Sequence, residues 1–102
     1  MAEKPETLFT QKVLRRLRTE FPQSWFTKNQ AGSIIGIPDI IGCVKGKLVA
    51  WELKVGRNKP TRIQAYVLMQ IQNAGGHSEV VTPENFEFEL KRLSRSVNES
   101  IY

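Results

Sequence analysis

The sequence predicts a small α/β domain: a mixed sheet flanked by helices, in the order α-β-β-β-α-β-α. Three observations predict it. Apolar residues recur at helical spacing in separate segments bounded by proline, threonine or glycine. Short runs rich in β-branched and aromatic residues lie between those segments. Only Lys45-Gly46-Lys47 separates the second run from the third, so these two must be antiparallel neighbours; the fourth is reached through a helix and can return parallel by a right-handed crossover.

The first helix is expected over Glu6–Glu20. Pro5 suits a first helical position, Phe9, Val13 and Leu17 form the stripe with Leu14 and Phe21 beside it, and Pro22 ends it. Ser24–Asn29 reads as a strand, followed by a glycine-bearing loop. Asp39–Val44 and Leu48–Val55 are the arms of the hairpin. After the basic loop Gly56–Lys59, Pro60 and Thr61 open a helix to Ala74 with Ile63, Val67, Leu68 and Ile71 as its stripe, and Gly75-Gly76 stop it. His77–Val81 is the last strand, with His77 a strand-end or loop residue. Thr82-Pro83 is expected to cap and open a final helix to about Ser96, leaving 97–102 as a loose tail.

A chain of 102 residues with 40% hydrophobic content fits one domain, 1–102, with one core. No apolar run approaches the ~20 residues that span a bilayer, and "MAEKPETLFTQ" has no signal-type hydrophobic region, which predicts a cytoplasmic protein. The single cysteine and single histidine exclude a Cys/His zinc site. Apolar neighbours predict a buried Cys43, and Trp25 and Trp51 read as core aromatics. The net charge of +5 favours a polyanionic partner such as nucleic acid.

The hairpin carries ionisable groups where apolar ones are expected. With the turn centred on Lys45-Gly46, Asp39 falls opposite Glu52, on neighbouring arms. Two carboxylates that close repel unless a cation lies between them, and oxygen ligands of this kind suit Mg²⁺. Lys54 shares a face with Glu52, while Leu53 points into the core yet offers its backbone carbonyl. Two carboxylates, a metal and a lysine are the parts of metal-assisted phosphodiester hydrolysis. The basic loop with Arg57 and Lys59, continued by Arg62, can hold phosphates without reading bases, and Lys28 is a further candidate.

Pro38-Asp39 followed by Glu52-Leu53-Lys54 resembles the PD-(D/E)XK nuclease motif, and the element order resembles that superfamily's restriction-endonuclease-like core. Within it, "GIPDIIG…WELKVGRNKPTRIQAYVLMQIQNAGG" looks like the VRR-NUC family, the virus-type replication-repair nucleases, over Glu6 to about Val81, in a stand-alone phage-type form. The chain is also similar to archaeal-type Holliday junction resolvases, in the Gly32-Ser33 loop and "PDII". The resemblance implies a Mg²⁺- or Mn²⁺-dependent, structure-selective DNA endonuclease of recombination and repair, acting as a homodimer on four-way junctions in the host cytoplasm. It implies no small-molecule cofactor and no membrane.

It assigns Asp39 and Glu52 as metal ligands, with the Leu53 carbonyl, Lys54 as the catalytic lysine and Gln64 as the family's glutamine. Glu6 is expected as the acid of the first helix, reaching the metal through water, with Glu20 as runner-up, and Ser33 as a DNA contact. Two other readings stand beside it: a flap, exonuclease or restriction-like enzyme of the same fold, and an inactive DNA-binding module.

Overall fold

The computed structural model describes residues 4–29 and 35–99. Its elements are α1 (Pro5–Glu20), β1 (Ser24–Lys28), β2 (Ile40–Val44), β3 (Lys47–Leu53), α2 (Arg62–Asn73), β4 (His77–Val81) and α3 (Phe86–Glu99), the expected order. The strands form one mixed sheet in the spatial order β1-β2-β3-β4. The first three pair antiparallel, and β4 joins β3 in parallel after the α2 crossover.

Hairpin register follows from the turn. Lys45 and Gly46 both have positive φ, 52° and 81°, the two-residue geometry whose twist matches that of paired strands. Val44 therefore faces Lys47, and Ile40 faces Trp51. Lys47 belongs to β3, not to the turn. At Gly42 a side chain is excluded by packing: a Cβ there would fall on the Phe26 ring and the Trp25 carbonyl.

One sheet face is fully covered. Phe9, Val13 and Leu17 of α1 pack on Phe26, Ile40, Val44, Val49 and Trp51, and α3 adds Phe86, Leu90, Leu93 and Val97. Trp51 and Phe86 meet edge to face, ring centroids 6.3 Å apart at 89°, and Phe9 meets Phe86 likewise at 6.0 Å. Such contacts contribute about 0.5–1.5 kcal/mol beyond area burial. Arg16 ties α1 to α3 through Glu87 at 2.7 Å, and Arg18 donates to the Phe26 carbonyl at 3.1 Å.

Among the described residues, the opposite face is covered only in part. α2 lies against β4 and β3. Leu68 is its buried residue, whereas Ile63, placed in the stripe by its spacing, is exposed. Trp25 and Cys43 share this face with Leu48, and both are exposed, contrary to the core positions expected of them. Strand alternation assigns a side chain to a face; it does not say whether a helix lies over it.

The chain's end differs too. Thr82 does not cap a helix starting at Pro83. It exchanges hydrogen bonds with Asn85 (Thr82 N to Oδ1 2.8 Å, Asn85 N to Thr82 Oγ1 3.2 Å), closing a turn before Phe86. α3 then runs to Glu99, and Val97, assigned to the tail, is buried in the core. No helix among the described residues is long and apolar enough to cross a membrane.

Candidate active site

A cleft of about 310 Å³ opens where β1 and β3 finish, β2 begins, and the N-terminal turns of α1 and α2 approach. Glu6, Lys28, Asp39, Glu52, Leu53, Lys54 and Gln64 all line it. Residues spread over nearly sixty positions of sequence are thus collected at one end of the sheet by strand pairing and the α2 crossover.

Asp39 precedes the first residue of β2, where continuing the Ile40–Trp51 register sets it opposite Glu52. Its Oδ2 accepts a hydrogen bond from the Leu53 backbone N–H at 2.8 Å, so β3 itself orients the carboxylate. Glu52 projects from the next-to-last position of β3 and is 2% exposed. Its Oε2 lies 3.2 Å from Lys54 Nζ, as expected for side chains two apart on one strand face. Its Oε1 is buried and takes no hydrogen bond from any described residue. Lys54 in turn is anchored by its backbone N–H, which donates to the Val81 carbonyl of β4 at 3.0 Å.

Burial is the main influence that raises the Glu52 pKa, and the negative charge of Asp39 adds to it; Lys54, and to a lesser degree the Asp39 backbone, oppose both. A buried carboxylate with one lysine and one orphan oxygen is incompletely compensated. A hard cation held by Glu52 and Asp39 would supply the compensation that the described side chains do not. Among the described residues no three His, Cys, Asp or Glu side chains form a ligand group, so a cation here would rest on two carboxylates plus backbone oxygen and water. Glu6 lines the same cleft without joining that pair as a third close ligand. Glu20 lies at the far end of α1, about 21 Å along the helix at 1.5 Å per residue, and its carboxylate lies 3.5 Å from Arg16.

Gln64 carries two duties. As the third residue of α2 it closes a capping box: its Oε1 accepts from Thr61 N at 2.9 Å, and its own N–H donates to Thr61 Oγ1 at 3.2 Å. The same side chain borders the cleft. The pattern Thr61-x-x-Gln64 was a visible signal for this cap. Arg57, Lys59 and Arg62 are exposed but do not line the cleft; Asn58 of their loop does. Thr7 and Thr10 of α1 line it as well, and Thr10 was detectable as the residue one turn beyond Glu6. Ser33 lies outside the described residues.

No protein-family model matches the chain, and no curated protein matches it.

Proposed function

We propose that this chain is a metal-dependent, structure-selective DNA endonuclease with a PD-(D/E)XK-type core, of the kind the VRR-NUC resemblance implies, cutting four-way junctions as a homodimer. The observation that carries the reading is Glu52. Its carboxylate is buried beside Asp39, one oxygen has no described partner, and a lysine sits at the other. A purely structural Glu52–Lys54 pair leaves that oxygen unexplained.

Asp39, Glu52 and the Leu53 carbonyl would hold Mg²⁺ or Mn²⁺. When bound, the ion supplies Lewis acidity toward a phosphate oxygen and a more acidic water at neutral pH. The protein's own groups act around it. Leu53 N–H fixes Asp39, the Val81 carbonyl fixes the start of the Lys54 side chain, and Lys54 is placed to orient the attacking water or to stabilise charge growing on the phosphate. Glu6 can hold a water at the cleft's other wall. Gln64 positions the phosphate from the capped start of α2. Lys28 and the Arg57–Arg62 segment attract the backbone without reading sequence.

Cleavage of a synthetic four-way junction with Mg²⁺ or Mn²⁺ tests the proposal, with flap and linear duplexes in parallel. Asp39→Ala should lower cleavage at least about 100-fold while junction binding is retained. Equal cleavage by Asp39→Ala and wild type sinks the site; cutting of flap or linear DNA in preference to the junction moves the substrate to the alternative nuclease readings.

A further inference from the structure

We propose that Ile35, Ile63 and Tyr66 form an apolar wedge at the rim of the cleft, one that enters the break in base stacking where DNA branches. All three are exposed, Ile35 at 80%, Ile63 at 52% and Tyr66 at 55%. They come together because the loop before β2 packs on the start of α2. Gly36 has a φ of 86°, and a Cβ there would fall 2.5 Å from Ile63 Cγ2 and 3.2 Å from Val67 Cγ2. The loop backbone thus rests directly on the helix, and Ile35, one residue earlier, is presented beside it. Tyr66 follows Ile63 at i+3, so the two are neighbours on the helix surface. Its Oη accepts a hydrogen bond from Gln70 Nε2 at 3.2 Å, which steadies the ring.

Position and charge select DNA as the occupant. Ile35 lies four residues before Asp39, a stretch that spans at most about 14 Å. Ile63 adjoins Gln64, and Asp39 and Gln64 both line the cleft. One nucleotide of a strand rises about 3.4 Å, so the wedge stands within about four nucleotides of a phosphate held in the cleft. Arg57, Lys59 and Arg62, all exposed, flank it, and Arg62 adjoins Ile63 in the chain and lies one turn before Tyr66. Cations around an apolar tip hold phosphates while the tip meets bases. A linear duplex must unstack to admit such a tip. At a branch the stack is already broken, so the wedge favours branched DNA without reading sequence. Three side chains are few beside the roughly 20–30 residues that each partner gives to a protein interface, yet enough for one gap between base pairs. That DNA is the ligand rests on the proposed nuclease reading; the wedge adds which side chains distinguish a branch.

Fluorescence anisotropy in EDTA, with a four-way junction and a linear duplex of the same sequences, tests it. Wild type should bind the junction at least about 10-fold tighter than the duplex. Ile35→Ser combined with Tyr66→Ala should bring the two within about 2-fold by weakening the junction complex alone. Ile63 is retained because Gly36 packs on it, and circular dichroism of the double variant should match wild type because both substituted positions are exposed. If the variant does not fold, 2-aminopurine at the branch point decides with wild type. Its emission should rise on binding as a stacked neighbour is displaced, and unchanged emission overturns the proposal. A double variant that keeps the junction preference while wild type cuts DNA overturns the wedge and leaves the nuclease standing. Equal losses on junction and duplex, or a changed mass in solution accompanying the loss, overturn it as well. Wild type that binds no DNA removes the wedge and the nuclease reading together.

Discussion

At the scale of single residues, Glu52 and His77 have opposite electrostatic consequences. The folded pKa of Glu52 is raised, chiefly by burial. Its contribution to stability is therefore fully present below the unfolded carboxylate pKa and is lost as pH rises through the folded value. In metal-free buffer at neutral pH, Glu52→Gln is expected to melt at or above the wild-type temperature. Adding Mg²⁺ or Mn²⁺ should raise the wild-type melting temperature and leave the variant's unchanged, because binding to the native state alone stabilises it. Scanning calorimetry with and without metal checks both, and a metal shift retained in Glu52→Gln would remove this residue from the ligand set. His77 behaves in the reverse sense. It is buried at the start of β4, its Nε2 takes no bond from a described residue, and its pKa lies below 6.5, first through burial and then through the charge of Arg92. The stability it contributes is present above the unfolded value near 6.5 and falls away as pH drops through the lower folded one. Urea unfolding at pH 7.5 and pH 5 should show wild type losing more stability between the two than His77→Leu.

Among the elements, the start of α2 couples the fold to the cleft. Thr61→Ala removes one half of the capping box and should cost about 0.5–2 kcal/mol in urea unfolding. Gln64→Ala removes the other half and so confuses stability with activity. Gln64→Glu retains the acceptor at that position, and is expected to preserve stability while changing cleavage; unchanged cleavage would leave Gln64 a capping residue only. What the sequence disclosed at this scale is mostly local. The two-residue turn at Lys45-Gly46 determined the hairpin register, and with it the meeting of Asp39 and Glu52. What stayed hidden depends on packing between elements. Trp25 and Cys43 lie on the face that strand alternation assigns, but α2 packs mainly over β4 and β3, and both side chains stay exposed. Choosing between Glu6 and Glu20 required knowing which end of α1 meets the cleft. Val97 continues the apolar spacing of Phe86, Leu90 and Leu93, so the longer α3 was legible in principle; the polar tail residues outweighed it.

For the molecule as a whole, charge and topology matter more than any single contact. Arg57 and Lys59 sit on an exposed loop next to the cleft residue Asn58. Replacing both with alanine should weaken binding to junctions of any sequence alike. It should also reduce the slope of log affinity against log salt by about 2, near 0.9 per lost phosphate contact. A slope identical to wild type in a fluorescence titration would place the DNA elsewhere.

Lys54 has a further consequence through its bond to Val81. The strands that carry both acids are complete by Leu53, yet the backbone N–H of Lys54 finds its Val81 carbonyl only when the parallel neighbour docks at the far side of the crossover. During synthesis the first three strands leave the ribosome well before that neighbour. A growing chain would thus pair its first three strands while the backbone at Lys54 is still untied, and this end of the cleft would be completed only with the final third of the polypeptide; on the proposed nuclease reading, cutting would arrive with it.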